Sequence, residues 1–186
     1  MADPAAPTRS GSGPATLETE RLVLRPWLMD DVATVWDIYS RWEVARFLGR
    51  TPAAMAVPEQ AEAAILRWSA VAGPPHGVWA ITPRSTGVPV GSALMKLLPL
   101  SGSGEPSQET EIGWHLHPGA WGNGYATEAG ARLVEHAWQH GLTEVYAVVY
   151  AENAASQAVC RRLGMEHLGP TERYYDVTCE LFRIAR

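Results

Sequence analysis

One strand-like segment carries three side chains that can exchange protons. In EIGWHLH, residues 111–117, the titratable residues are Glu111, His115 and His117. Because side chains alternate between the two faces of a β-strand, all three share one face. A carboxylate and two imidazoles in that arrangement could serve as general acids or bases. Two structural alternatives stay open: Glu111 as a surface residue in a cross-strand pair, and His117 as a solvated residue at the entrance of the next loop.

A glycine-rich turn follows this strand and precedes a helical pattern. The turn contains Gly122, Asn123 and Gly124. A helix N-terminus presents unpaired N–H groups and the positive end of the helix dipole, and glycine lets a ligand approach the backbone closely. This context is typical of a phosphate site, although Gly-Asn-Gly by itself is more often a simple turn. The G-x-x-x-x-G-K-[ST] loop is absent, and G-x-G-x-x-G would need glycine where Thr127 stands.

The elements around the turn follow from periodicity. Apolar residues at i, i+3, i+4, i+7 and i+8 over residues 126–138 predict an amphipathic helix, and Gly141 stands where a C′ glycine belongs. A strand is predicted at 143–151, and a short helix at 154–163 has Asn153 as a possible N-cap. Strand, turn, helix and strand therefore surround the candidate phosphate site.

The remaining segments alternate helices with short strands. Together they predict an α+β domain with a mixed sheet flanked by helices. The predicted elements are a strand at 20–27, a helix capped by Asp30 or Asp31, a second helix opened by Pro58, a hairpin turning at 85–87, a loop at 101–108, and strand-like pieces at 165–168 and 174–184.

Length and composition predict one domain with a tail. The chain has 186 residues, of which 46% are hydrophobic, enough for a single core. Residues 1–16 are rich in Ala, Pro, Gly and Ser, so we expect a disordered tail followed by one domain at 17–186. That N-terminus lacks the apolar region of a secretory signal, which favours a cytoplasmic protein.

Charge and cysteine usage exclude several classes of partner. The net charge of -5 has the wrong sign for a protein that binds the phosphate backbone of nucleic acid. No apolar run reaches the roughly 20 residues needed to span a bilayer, so no membrane partner is expected. Cys160 and Cys179 lack metal-ligand spacing, as do the histidines; we expect reduced core cysteines and no metal.

The glycine turn and its flanks carry a family resemblance. WGNGYATEA, residues 121–129, resembles the acetyl-CoA pyrophosphate loop of the GNAT acetyltransferases, in the branch of the RimJ/RimL type. Gly124 and Ala126 match the pattern Q/R-x-x-G-x-G/A, whereas Trp121 stands in place of Gln or Arg. The segments LETERLVLRPW, EIGWHL, NAAS and RLGM resemble the same family in the same order, so the resemblance spans residues 17–185.

The resemblance implies a fold and a co-substrate. It implies a largely antiparallel, splayed sheet that takes acetyl-CoA between the strands at Glu111 and Thr143. Backbone groups of the first strand would meet the pantetheine, and N–H groups of the glycine turn would meet the pyrophosphate. The implied acetyl-CoA-binding residues are Trp114, His115, Leu116, Gly122, Asn123, Gly124, Tyr125, Ala126, Thr127, Asn153 and Ser156.

The same resemblance suggests catalytic roles. Glu111 would be the general base, directly or through water, with His115 in reserve. Ser156 would donate a hydrogen bond to the leaving thiolate, and Tyr174 or Tyr175 are later candidates for an acid. The structural alternatives are a helix-surface position for Ser156 and a purely capping role for Asn153.

The function predicted is an acetyl-CoA-dependent N-acetyltransferase. Its acceptor is expected to be a peptide or protein N-terminal α-amine, or else a small amine such as an amino acid, polyamine or aminoglycoside. Two further alternatives are a catalytically silent CoA-binding module and a dinucleotide-binding protein. A homodimer is plausible, given eight tryptophans and exposed sheet edges.

Overall fold

A single mixed sheet organises the chain. The computed structural model describes residues 13–71 and 73–186. Its strands are β1 (Leu17–Glu18), β2 (Leu22–Pro26), β3 (Gly77–Pro83), β4 (Gly91–Pro99), β5 (Pro106–Leu116), β6 (Glu144–Val149), β7 (Glu166–Thr171) and β8 (Cys179–Ala185). Its α-helices are α1 (Val32–Tyr39), α2 (Trp42–Ala45), α3 (Glu59–Ser69), α4 (Tyr125–Gln139) and α5 (Ala154–Arg162).

The sheet is largely antiparallel. Across the described residues its strand order is β1-β2-β3-β4-β5-β6-β8-β7. Neighbouring strands are antiparallel except for β5 and β6, which are parallel and are connected through α4. The predicted fold class, a mixed and mostly antiparallel sheet flanked by helices, is confirmed.

Strands β5 and β6 separate toward their carboxyl ends. Their residues pair at Glu111 and Tyr146. Beyond this point the opposite edge of β5 stays paired with β4, as far as Leu116. The edge of β5 that faces β6 is thereby left open, and this opening is the splay that the family resemblance implied.

Both faces of the sheet are covered. Along β3, Val78 and Ala80 belong to a core formed with α1 and α3, whereas Trp79 and Ile81 belong to a core formed with α4. A strand buried on both faces is expected to be apolar at nearly every position, which accounts for the run GVWAITP. The helices therefore lie on opposite faces, α1 and α3 on one and α4 on the other.

The predicted helix boundaries near the glycine turn are confirmed. Helix α4 begins at Tyr125, and Gly141 after its end has φ +81°, a conformation that suits glycine. The side-chain oxygen of Asn153 accepts a hydrogen bond of 3.1 Å from the Ser156 N–H, so Asn153 caps α5 as predicted.

Two strand predictions are wrong at their ends. The expected loop at 101–108 is shorter, because Pro106 pairs with Pro99 and extends the β4–β5 hairpin. The last strand begins at Cys179 rather than Tyr174. Tyr175 and Asp176 have positive φ angles of 62° and 55°, which the extended backbone of a strand does not allow.

The prediction that an aspartate side chain caps the first helix is also wrong. Asp31 precedes α1, but its side chain makes no capping hydrogen bond. Its carboxylate instead pairs with the Arg25 guanidinium at 2.7 Å and accepts from the Leu28 N–H at 2.9 Å. A bidentate ion pair outcompetes the cap because both of its partners are charged.

Other predictions concern the chain as a whole. Of the tail predicted at 1–16, residues 1–12 lie outside the described residues, while the Ala15 carbonyl accepts a hydrogen bond of 2.8 Å from Trp79 Nε1. Cys160 and Cys179 are free and buried, as expected. Within the described ranges no helix is long and apolar enough to cross a membrane, and no cluster of potential metal ligands is present there.

Candidate active site

A large cavity opens where β5 and β6 separate. Its volume is about 770 Å³, within the range of about 300–1,000 Å³ typical of small-molecule sites. It brings together nearly all of the predicted site residues, from β5, the start of α4 and the start of α5. Those that line it are Glu111, Trp114, His115, Leu116, Gly122, Gly124, Tyr125, Ala126, Thr127, Asn153 and Ser156.

The glycine turn presents backbone donors to this cavity. Gly122 and Gly124 have φ angles of +78° and +79°, which glycine adopts without a steric penalty. The N–H groups from Gly122 to Thr127 donate to no acceptor within the described part of the protein. They stand at the N-terminus of a helix of 15 residues, whose dipole favours an anion. The turn is therefore suited to a phosphate group.

Asn123 is the predicted binding residue that does not line the cavity. Its side-chain amide donates to the carbonyls of Ala120 at 3.1 Å and Trp121 at 3.2 Å. Its own carbonyl accepts from Arg21 Nη1 at 3.0 Å. These contacts show that the Asn123 side chain stabilises the turn.

The start of α4 is fastened to the N-terminal strands by Glu128. Its Oε1 atom accepts from Thr19 Oγ1 at 2.6 Å and from the Arg21 N–H at 2.9 Å. Its Oε2 atom accepts from Arg21 Nε at 2.7 Å. This network holds the glycine turn in place. This network was not predicted from the sequence, because Glu128 lies more than 100 positions from Thr19 and Arg21 and no local pattern signals such a contact.

Glu111 is a buried carboxylate at the inner end of the cavity. It is 8% exposed, so the expectation of a surface residue is excluded. It faces Lys96 across the β4–β5 pair and accepts a hydrogen bond from the Tyr175 hydroxyl. Burial raises the pKa of Glu111, and the Lys96 charge and the Tyr175 hydrogen bond oppose this without cancelling it. A carboxylate with a raised pKa is a stronger base than an exposed one.

His115 lies on the same strand face and belongs to a hydrogen-bond chain. Its Nδ1 atom is 3.1 Å from the Tyr39 hydroxyl, which donates to Ser92 Oγ at 2.8 Å. The Tyr39 oxygen can then accept the Nδ1 proton, the tautomer that leaves Nε2 as an acceptor. Burial and the Lys96 charge lower the pKa of His115 to about 4. The imidazole is therefore neutral at pH 7.

His117 is separated from the other two titratable groups. Its Nδ1 atom accepts from the Gly119 N–H at 3.0 Å, and its Nε2 atom lies 3.3 Å from Asp37. It lines neither of the cavities at Glu111. Of the predicted titratable face, Glu111 and His115 come together and His117 does not.

Ser156 and Asn153 line the opposite wall of the cavity. The hydroxyl of Ser156 has no hydrogen-bond partner among the described residues, while its N–H is held by Asn153. A hydroxyl without a protein partner is free to donate to a ligand. Ser156 is half-buried, so the alternative of a fully exposed helix-surface serine is excluded.

A smaller cavity adjoins the larger one. Its volume is about 320 Å³, and it shares Glu111 and His115 with the larger cavity. Its other walls include residues of α1, α3, the segment 47–55, β4 and the β7–β8 loop, and Phe47 and Tyr150 line both cavities. A group in either cavity can therefore reach the same carboxylate and imidazole.

Lys96 and Tyr39 also belong to this site, and neither was predicted from the sequence. Lys96 is the only lysine in the chain, but a lone lysine is no motif. Pairing β4 with β5 residue by residue would have placed Lys96 opposite Glu111 and Ser92 opposite His115, as observed. Tyr39 had no local signal, because it reaches His115 from a helix 76 positions away.

Comparison with known proteins gives a consistent match. The model of the family described as an acetyltransferase (GNAT) domain matches residues 21–166. An uncharacterized N-acetyltransferase, YoaA of Bacillus subtilis (strain 168), is 29% identical over 160 residues, which cover 85% of this chain and 86% of that protein.

Solved structures share the fold. Mycobacterium smegmatis RimJ in complex with CoA-disulfide aligns with a TM-score of 0.76 and 21% identity, over 94% of this chain and 88% of that chain. RimL, a ribosomal L7/L12 alpha-N-protein acetyltransferase in complex with coenzyme A, aligns with a TM-score of 0.72 and 14% identity, over 92% and 98%. At these identities the likeness establishes the architecture alone.

Proposed function

The chain belongs to the acetyltransferase (GNAT) domain family, and from that premise we propose that it transfers an acetyl group from acetyl-CoA to the N-terminal α-amine of a peptide or protein. The family match confirms the resemblance to the GNAT acetyltransferases, and the fold is shared with RimJ and RimL. The chain is therefore an acyltransferase.

One observation carries the proposal: the two cavities meet at Glu111 and His115. A transferase needs one space for the donor and another for the acceptor, with a proton acceptor at their junction. The larger cavity ends in backbone donors suited to a pyrophosphate. The smaller one lacks such a turn and is left for the acceptor.

The residues of the larger cavity fit acetyl-CoA. Gly122 and Gly124 leave a concavity at the start of α4, and the open edge of β5 between Gly113 and Leu116 offers backbone groups to an extended chain such as pantetheine. When bound, acetyl-CoA supplies an acetyl thioester that an uncharged amine can attack.

Glu111 is proposed as the general base. An α-amine with a pKa near 8 costs about 1.4 kcal/mol to deprotonate at pH 7, whereas a lysine near 10.4 costs about 4.6 kcal/mol. A buried glutamate with a raised pKa can accept that proton directly or through water. His115, neutral at pH 7, has Nε2 as a second acceptor in the same place.

Ser156 is proposed as the donor to the leaving thiolate. It lines the cavity at the start of α5, and its hydroxyl has no partner among the described residues. Asn153 would then act indirectly, since its cap fixes the first turn of α5, which carries Ser156.

An α-amine acceptor agrees with the activity for which a structural neighbour, the alpha-N-protein acetyltransferase RimL, is named. Deprotonating an α-amine at pH 7 also costs less free energy than deprotonating a lysine side chain. These two considerations favour a peptide N-terminus over a lysine side chain.

The test is acetyl-CoA-dependent thiol release with short peptides bearing free α-amines, beside free amino acids, polyamines and aminoglycosides. We expect the wild type to acetylate the peptides. Glu111→Gln and Ser156→Ala should lower the rate of turnover, while calorimetry should show that both variants still bind acetyl-CoA. Turnover confined to small amines would overturn the peptide assignment. Acetyl-CoA binding without turnover of any amine would instead indicate a silent CoA-binding module.

A further inference from the structure

The smaller cavity is large enough to hold one large side chain. Its volume of about 320 Å³ lies near the lower end of the range of about 300–1,000 Å³ for ligand sites. Its walls are rich in rings and aliphatic groups. The aromatic members of its lining are Tyr39, Phe47, Trp68, Tyr150 and Tyr175.

The hydroxyl groups of the three tyrosines are already engaged within the protein. Tyr39 donates to Ser92 at 2.8 Å. Tyr150 donates to the Gly49 carbonyl at 2.6 Å, and Tyr175 donates to Glu111. A ligand therefore meets mainly the faces and edges of rings, a surface that favours apolar and aromatic groups.

The charges of the lining disfavour polycations. Within the described chain, Lys96 and Arg67 contribute positive charges to this cavity and Glu111 contributes the carboxylate. A polyamine or an aminoglycoside would bring several ammonium groups against these cations. An α-amine brings a single charge and loses it before the reaction.

We propose that the smaller cavity receives the side chain of the residue that bears the reacting α-amine, and that this side chain is large and apolar or aromatic. The inference rests on the proposed function, because it needs the amine at Glu111 and His115. From there, the side chain of the first residue can extend along the wall formed by Tyr39 and Trp68, whose rings pack against each other with centres 5.6 Å apart. A first residue without a side chain leaves this space unfilled and forgoes the apolar contact.

The first experiment compares pentapeptides that differ only in residue 1, which is Phe, Leu, Gly or Ser. Their kcat/KM values are measured by thiol release from acetyl-CoA, with spermidine as the polycationic acceptor. We expect values for the Phe and Leu peptides at least 10-fold above that of the Gly peptide. Spermidine is expected to give the lowest value.

The second experiment fills the cavity from two walls. Ala64 in α3 and Val177 in the β7–β8 loop both line it. Ala64→Leu and, independently, Val177→Phe are expected to reduce the Phe-to-Gly ratio of kcat/KM at least fivefold. The matched control is Ala63→Leu, an exposed neighbour on the same helix, which should leave the ratio unchanged. Because Val177 is half-buried in a loop, its variant keeps the test available if the core substitution does not fold.

The outcomes separate the two proposals. Equal kcat/KM values for all four peptides, or a ratio insensitive to both filling variants, would overturn this inference and leave peptide acetylation intact. Turnover of spermidine with no peptide accepted would overturn the proposed function and this inference together.

Discussion

Tyr175, which lies 64 residues later in the chain, donates a hydrogen bond from its hydroxyl to the carboxylate of Glu111. The loop before β8 carries Tyr175 with a φ of 62°, and Lys96 Nζ lies 5.1 Å from the centre of its ring. Lys96 is also the register partner of Glu111. A cation, a carboxylate and a phenol thus form one cluster, in which Lys96 and Tyr175 both lower the pKa of Glu111 and Glu111 raises the pKa of Tyr175.

Loss of the Tyr175 hydroxyl should shift the pH profile. The hydrogen bond stabilises the ionised form of Glu111 and so lowers its pKa, against the larger opposing effect of burial. In Tyr175→Phe the pKa of Glu111 rises further, and the acidic limb of kcat/KM should move to higher pH. Tyr174→Phe removes a hydroxyl that does not bond to Glu111 and should leave the limb in place. An unchanged profile in Tyr175→Phe would contradict the coupling.

Removal of the proposed base should lower turnover with little effect on donor binding. General base catalysis contributes about 10²- to 10⁴-fold, so kcat of Glu111→Gln should fall by about that factor. Glu111 acts only when ionised; because burial raises its pKa, wild-type activity should fall with decreasing pH at values above the usual range of a glutamate. This acidic limb should vanish in Glu111→Gln.

A suitable control for that variant is Glu109→Gln. Glu109 lies on the same strand but is paired with Arg173 and lines neither of the two cavities. Its kcat and pH profile should match those of the wild type. A large loss of kcat in Glu109→Gln would mean that Glu111→Gln lowers kcat by disturbing the strand and not by removing a base.

A methyl group on the glycine turn should weaken acetyl-CoA binding. Gly124 has φ +79° and Gly141 has φ +81°, so alanine costs about 1–2 kcal/mol of left-handed strain at either position. Both variants should lose similar stability in thermal unfolding, but only Gly124→Ala should raise the Kd for acetyl-CoA measured by calorimetry. Equal affinities in the two variants would remove the turn from the binding site.

The contribution of the Asn153 cap to the free energy of unfolding should be measurable. Asn153→Ala removes the acceptor for the Ser156 N–H and should cost about 1 kcal/mol. For a chain of this size that corresponds to a Tm lower by about 2–4 °C. Asn153→Ser keeps a capping oxygen and should lose much less. If Asn153→Ala melts like the wild type, the cap contributes nothing to the position of Ser156.

Local patterns in the sequence determined the elements that form the site. The apolar stripe of α4, the glycines that flank its start and the alternation along β5 are encoded within a few residues, because helix and strand periodicity and positive φ angles are local properties. Eleven of the twelve predicted site residues therefore line the larger cavity, whereas the parts of its wall at 43–48 and 147–150 were not predicted as site residues. Asn123 is the twelfth: its side chain donates to carbonyls of the turn, while its backbone N–H, the group that the resemblance implied, has no acceptor among the described residues.

Only the tertiary structure decided what surrounds Glu111 and His115. Lys96, Tyr39 and Tyr175 reach them from another strand, a helix and a loop, and the loop forms where a strand was predicted. Such contacts depend on strand register and on how distant segments close over the sheet, and neither leaves a periodic trace in the sequence. The sequence therefore determined the family and, in outline, the larger cavity. The burial that raises the pKa of Glu111, the neutral state of His115 and the shape of the smaller cavity arise from long-range packing.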